Sequence, residues 1–195
     1  MKKRLGPSDR IYPMPSPLVV GGTMEKADTM AVAWIGIASG APPSIGMALR
    51  NTRHTLELIR ETGEFTVNIP SASQAAVVDY CGITSGRDHD KFAETGLTRT
   101  PAAVVATPLI EECPYNLECR VTHEVEVGEY VFVIGEVVET HAEESVLDET
   151  GAKVDVDLLD PLVYIAGSRD YRRLGEKIAD AFSVGKTLRD GGDTK

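Results

Sequence analysis

The sequence contains few of the residues that stabilise chains without a large core. Its three cysteines, Cys81, Cys113 and Cys119, are too few and too irregularly spaced for a disulfide scaffold or a zinc ribbon. No stretch approaches the roughly 18 apolar residues of a membrane-spanning helix. The basic start at residues 1–4 is followed by polar residues and lacks the apolar segment of a signal peptide. We therefore expect a cytoplasmic protein that does not associate with a membrane.

Positive charge is also scarce. The chain of 195 residues has 20 Lys and Arg against 30 Asp and Glu, a net charge of −10 at pH 7. This balance argues against binding to nucleic acid, which requires an excess of cations to neutralise phosphates, and against adsorption to anionic lipid. With 42% hydrophobic residues, the chain can still bury a sizeable core. Composition thus predicts a globular protein whose partners are neither nucleic acids nor membranes.

Short apolar runs separated by glycine and proline predict mainly β-structure with a few helices, an α+β class. The clearest strand covers residues 117–127, where apolar and polar residues alternate, and Gly128 and Glu129 join it to the next strand as a hairpin. Hairpin-connected strands favour an antiparallel barrel over a parallel sheet. The other predicted strands cover residues 18–22, 30–37, 45–50, 65–69, 130–138 and 162–166.

The chain is predicted to form a single domain over residues 1–195, because no long linker divides it. One helix is expected to begin at a Thr52 cap and to end at Gly63. The barrel core covers about residues 17–166. A C-terminal helix over about residues 171–184 follows it, and residues 190–195 form a flexible tail.

Charge is unevenly distributed along the chain. Residues 111–160 contain fifteen acidic and two basic side chains, whereas residues 41–60 contain Arg50, Arg53 and Arg60 against the single acid Glu57. The basic segment surrounds the expected N-terminus of a helix, where free N–H groups and the helix dipole favour a phosphate. A solvated helix start remains the alternative.

A second group of polar donors lies in the loop of residues 85–92. Arg87 and Lys91 could help to hold an anion there, although a plain surface turn explains the same residues. The glycine pattern G-x-G-x-x-G is absent, which excludes a Rossmann-type nicotinamide site. The sequence predicts no metal site and no catalytic nucleophile or acid–base side chain.

The order of several segments resembles the flavin reductase-like family of FMN-binding split-barrel proteins, most closely its flavoredoxin branch. The likeness covers about residues 17–166, and the combination of segments is more specific than any one of them. The matching segments are Asp28-Thr29-Met30-Ala31-Val32-Ala33-Trp34, Pro42-Pro43-Ser44-Ile45-Gly46-Met47-Ala48-Leu49-Arg50, Arg53-His54-Thr55, Gly63-Glu64-Phe65-Thr66-Val67-Asn68-Ile69-Pro70, Ser85-Gly86-Arg87-Asp88-His89-Asp90-Lys91-Phe92 and Leu117-Glu118-Cys119-Arg120.

The resemblance implies a six-stranded Greek-key split barrel that forms a homodimer and binds FMN non-covalently near the subunit interface. The first long strand would line the isoalloxazine ring, the 50–55 segment would meet the ribityl phosphate, and Lys91 would approach from its loop. The family commonly has Asn where this chain has Asp28, and an ionised carboxylate accepts hydrogen bonds without donating them. The implied FMN-binding residues are Asp28, Met30, Ala31, Val32, Ala33, Trp34, Ala48, Leu49, Arg50, Asn51, Arg53, Thr55 and Lys91.

The function that the resemblance implies is an oxidoreductase that passes electrons or hydride through FMN to a small-molecule or protein redox partner. NADH or NADPH as the donor stays open, as does a role as a pure electron carrier. The acidic stretch at 111–160 would orient a basic partner or simply keep the protein in solution. The alternatives are a non-catalytic flavin- or ligand-binding module and an oxygen-dependent flavin oxidase.

Overall fold

The computed structural model describes residues 1–186 and residue 188. The strands in this part of the chain are β1 (Met14–Pro15), β2 (Leu18–Gly22), β3 (Ala27–Ala31), β4 (Ile35–Gly40), β5 (Pro43–Arg50), β6 (Glu64–Ile69), β7 (Arg99–Thr100), β8 (Leu109–Ile110), β9 (Tyr115–Val127), β10 (Tyr130–Ala142), β11 (Val163–Ile165) and β12 (Asp170–Arg172). The α-helices are α1 (His54–Thr62), α2 (Ala75–Ile83), α3 (Lys91–Thr95) and α4 (Val156–Leu159). The predicted class, mainly β with a few helices, is confirmed.

The main sheet is antiparallel, and its strand order is β3-β2-β6-β9-β10-β5-β4. Two smaller sheets accompany it, β1-β11-β12 and β7-β8. The first and last strands of the main sheet are consecutive in the chain, so the sheet curls until the chain can pass from one edge to the other. This curl gives a barrel that is open along one side.

The crossing between β3 and β4 interrupts the single strand predicted over residues 30–37, and that prediction was wrong. β3 pairs with β2, whereas β4 pairs with β5 at the opposite edge. Between the two strands, Val32 N donates to Pro17 O over 3.0 Å and Ala48 N donates to Trp34 O over 2.9 Å. The interruption gives the main sheet seven strands where the resemblance implies six.

Helix α1 begins later than the sequence predicts. The helix starts after Arg53, which has extended backbone angles and makes no side-chain capping bond, so the predicted cap at Thr52 was wrong. The predicted end is confirmed, because Gly63 adopts the left-handed conformation at φ 69° and its N–H bonds back to Ile59 O. Leu56 and Ile59 are fully buried and pack α1 onto the barrel. The N-terminus of α1 therefore has no side-chain cap of its own.

The core fills the barrel interior. Phe65, Met47, Leu49 and Val133 are at most 1% exposed, and each such side chain contributes about 1.5–3 kcal/mol of transfer free energy. A Cβ at Gly135 would overlap the Phe65 ring, so glycine at this bulged position lets the ring pack against β10.

The hairpin of β9 and β10 extends past the barrel. The strand predicted over residues 117–127 is confirmed, with Cys119 fully buried, but its outer half is exposed on both faces. Val125 and Val127 are 51% and 61% exposed because β6 pairs with β9 only as far as Arg120. The alternation of apolar and polar residues therefore does not correspond to a buried face in this half of β9.

The helix predicted over residues 171–184 was also wrong. Its first residues belong to β12, which pairs with β11, and no helix follows up to residue 185. The apolar side chains that favoured a helix, such as Ile178 and Phe182, are 99% and 98% exposed, so they find no surface to pack against. The tail predicted at 190–195 lies outside the described residues.

Candidate cofactor-binding site

A cavity of about 180 Å³ lies where the chain crosses from β3 to β4. Nine of the thirteen residues that the resemblance assigns to FMN line it together. Because the short side chains of Ala31, Ala33 and Ala48 form much of the wall, a flat molecule can approach the backbone closely. The residues lining the cavity are Met30, Ala31, Val32, Ala33, Trp34, Ala48, Leu49, Arg50, Arg53 and Tyr130.

One wall of this cavity is aromatic. Trp34 and Tyr130 stack with ring centroids 4.8 Å apart and an interplanar angle of 27°. Arg50 Nε donates to the Tyr130 hydroxyl over 3.0 Å, and this bond raises the pKa of the Arg50 guanidinium. Tyr130 is not among the residues predicted from the sequence. Its signal was the hairpin at 128–129, which brings Tyr130 into register with Arg50 across β10 and β5.

A narrow polar cleft of about 70 Å³ adjoins the cavity and shares Met30 and Arg53 with it. The start of α1 and the loop after α2 form opposite walls of the cleft, and Thr84 and Ser85 contribute hydroxyl groups. The first N–H groups of α1 have no intrahelical acceptor and no side-chain cap. The Arg53 guanidinium makes no ion pair or hydrogen bond with the described residues. These donors match the requirements of a phosphate group.

A buried ionic cluster lies beneath this cleft. Lys91 Nζ is 3.0 Å from Asp28 Oδ1, and the two side chains are 2% and 6% exposed. Thr55 Oγ1 donates to the second carboxylate oxygen over 2.5 Å, and Lys91 also donates to Thr29 O. Both oxygens of Asp28 are thus bonded within the chain. The carboxylate of Asp28 is the counterion of Lys91.

The loop between α2 and α3 is fastened to this cluster and to α1. A Cβ at Gly86 would overlap the Asp28 carboxylate, so only glycine lets the loop pass this closely. Arg87 donates to Thr52 O over 2.9 Å and to Glu57 Oε1 over 2.5 Å. Arg87 therefore joins the loop to α1. The sequence had suggested it as an anion-binding group, but its guanidinium is already paired with Glu57.

Asn51 is the one member of the predicted set that lines neither space. Its backbone N donates to Glu129 O over 3.0 Å, which places the residue in the turn beside the tip of the β9–β10 hairpin. Its assignment to the cofactor remains a prediction, as do the individual roles of the other twelve residues.

The three cysteines are free thiols in buried positions. Burial raises the pKa of Cys81 to about 11 and those of Cys113 and Cys119 to about 12. Cys81 lines the polar cleft, but as a neutral thiol it is a poor nucleophile. Within the described residues, no group of three or more His, Cys, Asp or Glu side chains is placed to hold a metal ion. No helix in the described part of the chain has the length and apolar character to cross a membrane.

Residues 11–175 match the family model described as flavin reductase like domain. Flavoredoxin of Desulfovibrio vulgaris (Miyazaki F) is 39% identical, with a TM-score of 0.89 over 95% of this chain and 100% of that chain. Flavoredoxin from Methanosarcina acetivorans is 33% identical, with a TM-score of 0.89 over 96% of this chain and 99% of that chain. An uncharacterised protein of Archaeoglobus fulgidus is 37% identical over 134 residues, which are 68% of this chain and 75% of the relative.

More distant structures share the fold. The FMN-binding protein from Thermus thermophilus is 23% identical, and its TM-score is 0.77 over 92% of this chain and 99% of that chain. The matched family region contains every strand from β1 to β12, with the crossing at 32–34 and the cavity beside it. The resemblance predicted from the sequence segments is confirmed, and the chain belongs to the flavin reductase like domain family.

Proposed function

We propose that this chain binds FMN non-covalently and acts as an oxidoreductase of the flavin reductase or flavoredoxin type. The observation that supports this proposal most directly is the uncapped N-terminus of α1. It opens into a polar cleft that is continuous with the cavity at the β3–β4 crossing. A ring-bearing phosphate monoester matches this arrangement, because its two ends need one flat apolar space and one group of N–H and cationic donors.

The chain's own residues bind and orient the cofactor. The first N–H groups of α1 and the Arg53 guanidinium hold the phosphate, while the backbone at 30–34 and the stacked Trp34–Tyr130 pair border the ring. The Asp28–Lys91–Thr55 cluster keeps the walls of the cleft in place. Bound FMN supplies the hydride or electron transfer itself.

Arg53→Ala is expected to weaken FMN binding about tenfold, or about 1.4 kcal/mol, because it removes an unpaired cation from the phosphate cleft. FMN affinity is measured by titrating the apoprotein and following the quenching of flavin fluorescence. Thr55→Ala is not a suitable second variant for this test. The Thr55 hydroxyl donates to the buried Asp28 carboxylate, so its loss would also disturb the wall of the cleft.

Arg60→Ala is the matched control for this experiment. Arg60 lies in the last turn of the same helix and pairs with Glu124 over 2.7 Å, so its loss should leave FMN affinity unchanged. The purified wild-type protein should be yellow and should bleach with dithionite. A colourless protein that also fails to bind added FMN refutes the proposed function. An unchanged affinity in Arg53→Ala refutes only the phosphate assignment.

We further propose that two copies of the chain associate through the outer face of β4, β5, β9 and β10. Phe132 lies over Gly46 on this face, next to the exposed Val125. A cavity of about 410 Å³ bordered by Ile37, Phe132 and the segment around Ile11 continues the same apolar surface toward Trp34. A second copy covering this face would also cover the proposed ring site.

Val125→Glu is expected to shift the protein from dimer to monomer, because it places a charge in the proposed apolar interface at a side chain that is 51% exposed in the single chain. Sedimentation velocity measures the change. Leu158→Glu, on the exposed side of α4, is the control and should leave the mass in solution unaltered. A wild-type protein that sediments as a monomer at micromolar concentration contradicts the proposal.

A further inference from the structure

A second cavity, of about 300 Å³, lies on the other side of the β3–β4 crossing. It shares the segment of residues 31–33 with the proposed ring site, so the two spaces have a common wall. None of the polar side chains that line this second cavity was among the site residues predicted from the sequence or from the family resemblance. Those side chains come from the link between β1 and β2, from α2 and from the β11–β12 hairpin: Ser16, Asp79, Tyr164, Arg169 and Tyr171.

Three of these side chains are donors without a protein partner. Ser16 is only 4% exposed, yet its hydroxyl makes no hydrogen bond within the described residues. The Tyr164 hydroxyl and the Arg169 guanidinium are likewise unpaired in that part of the chain. All three donors line the cavity, so a ligand bound there can accept hydrogen bonds from them.

The remaining polar pair in the cavity is internally satisfied. Tyr171 donates to Asp79 Oδ1 over 3.1 Å, and burial together with the Asp79 carboxylate raises the pKa of Tyr171 to about 12. Tyr171 also packs against Tyr164, with ring centroids 5.6 Å apart and tilted by 46°. The two rings thus give the cavity an aromatic side, and the phenol of Tyr171 stays neutral at physiological pH.

Arg169 is held at the cavity by the turn between β11 and β12. Its backbone has φ 59°, a left-handed conformation that is unusual for a residue other than glycine, and its N–H bonds to Ile165 O over 2.8 Å. The neighbouring acid, Asp170, pairs with Arg172 instead, at 3.3 Å. The Arg169 guanidinium makes no ion pair with any acid among the described residues, so its cation is available at the exposed rim of the cavity.

We propose that this cavity is the reactant subsite, and that it binds a planar molecule with a carboxylate or phosphate group. Arg169 and Ser16 bind the anion, and the Tyr164–Tyr171 pair packs against the planar part. The shared wall at residues 31–33 then brings the reactant beside the proposed cofactor. The position beside FMN rests on the proposed function, whereas recognition of the anion by Arg169 does not.

Titration calorimetry on the purified protein, with or without bound FMN, tests the proposal with benzoate, phenyl phosphate and the neutral benzamide as probes. At least one anion should bind about tenfold more tightly than benzamide, as expected when a cationic donor is unpaired. Arg169→Asn should abolish this preference, because asparagine tolerates the left-handed backbone and removes only the charge. Arg172→Asn, on the exposed end of β12, is the matched control and should keep the preference.

Each outcome has one meaning. Equal or undetectable binding of the anions and benzamide overturns the proposal, and so does an anion preference that survives in Arg169→Asn. A fall in FMN affinity in Arg169→Asn would show that the cavity belongs to the cofactor, which also overturns it. A protein that binds no FMN but loses its anion preference in Arg169→Asn refutes the proposed function and leaves the anion site intact.

Discussion

Replacement of Lys91 by methionine is expected to lower the free energy of unfolding by about 3–5 kcal/mol. Lys91 is the counterion of Asp28, and both side chains are almost completely buried at an Nζ–Oδ1 distance of 3.0 Å. The variant leaves the carboxylate with Thr55 as its sole side-chain partner in an environment that solvates charge poorly. Urea denaturation at pH 7 measures the loss, with the m-value checked for two-state behaviour.

Two variants separate the loss of this ion pair from the loss of a lysine. Lys26→Met removes a pair with Glu61 in which the side chains are 64% and 57% exposed, and it should cost less than about 1 kcal/mol. The double variant Asp28→Asn/Lys91→Met removes both charges and should recover most of the stability lost in Lys91→Met. If the free energy of unfolding of Lys91→Met lies within about 1 kcal/mol of the wild-type value, the Asp28 charge is compensated without Lys91 and the prediction is wrong.

Glu118→Gln is expected to lower the free energy of unfolding by about 2–4 kcal/mol. The Glu118 carboxylate is fully buried and accepts from the backbone N–H groups of Ala103, Val104 and Val105 over 2.7–2.9 Å. His141 Nε2 lies 2.6 Å from the same carboxylate. An amide in this position replaces one acceptor oxygen with a donor that faces another donor. The substitution should disturb mainly the 101–108 loop, because the bonds to Glu118 hold this loop against β9.

The same carboxylate makes stability dependent on pH. Burial alone would raise the pKa of Glu118, but the bonds from His141 and from the three backbone N–H groups outweigh it and lower the pKa below its ordinary value of 4.5. A lowered pKa in the folded state means that the stabilisation is complete above about pH 4.5 and is lost as the pH falls through the folded-state value.

The stability gap between wild type and Glu118→Gln should therefore stay constant from pH 7 to about pH 4.5 and narrow only as the pH falls further. Urea denaturation at several pH values measures it. Glu149→Gln is a control, because Glu149 is exposed, and it should match wild type throughout. A gap that also stays constant below pH 4.5 would mean that the carboxylate charge does not contribute to folding.

Local patterns in the sequence predicted the parts of the fold that are locally determined. Alternation predicted β9, the Gly128–Glu129 pair predicted its hairpin with β10, and Gly63 predicted the end of α1. The interruption at 32–34 could not be predicted in this way, because the hydrogen bonds that fix it go to Pro17 and Ala48. Periodicity reports only the order of apolar and polar residues within a segment. The bonds at 32–34 depend on which other segments pack against it in the fold.

The candidate site likewise contains some residues that the sequence predicted and others that only the fold brings together. The family resemblance nominated the 30–34 and 48–50 segments, and the local basic charge nominated the start of α1; the structure brings these segments together. Tyr130 was missed because it reaches the cavity through strand register. The partnership of Asp28 with Lys91 was missed because the two residues meet only in the folded barrel. The prediction of a C-terminal helix was wrong because the apolar side chains of this segment find no surface to pack against.

The cluster around Asp28 also bears on the order of folding. It joins Asp28 to Thr55 across 27 positions and Lys91 to Thr29 across 62, so each contact must close a long loop of chain before it contributes. The walls of the cleft are therefore complete only after most of the barrel has assembled. A ligand captured there recognises the native state alone, and at a concentration of 100 times its Kd it adds about 2.7 kcal/mol to the free energy of unfolding. Removal of that ligand would lower the free energy of unfolding by the same amount.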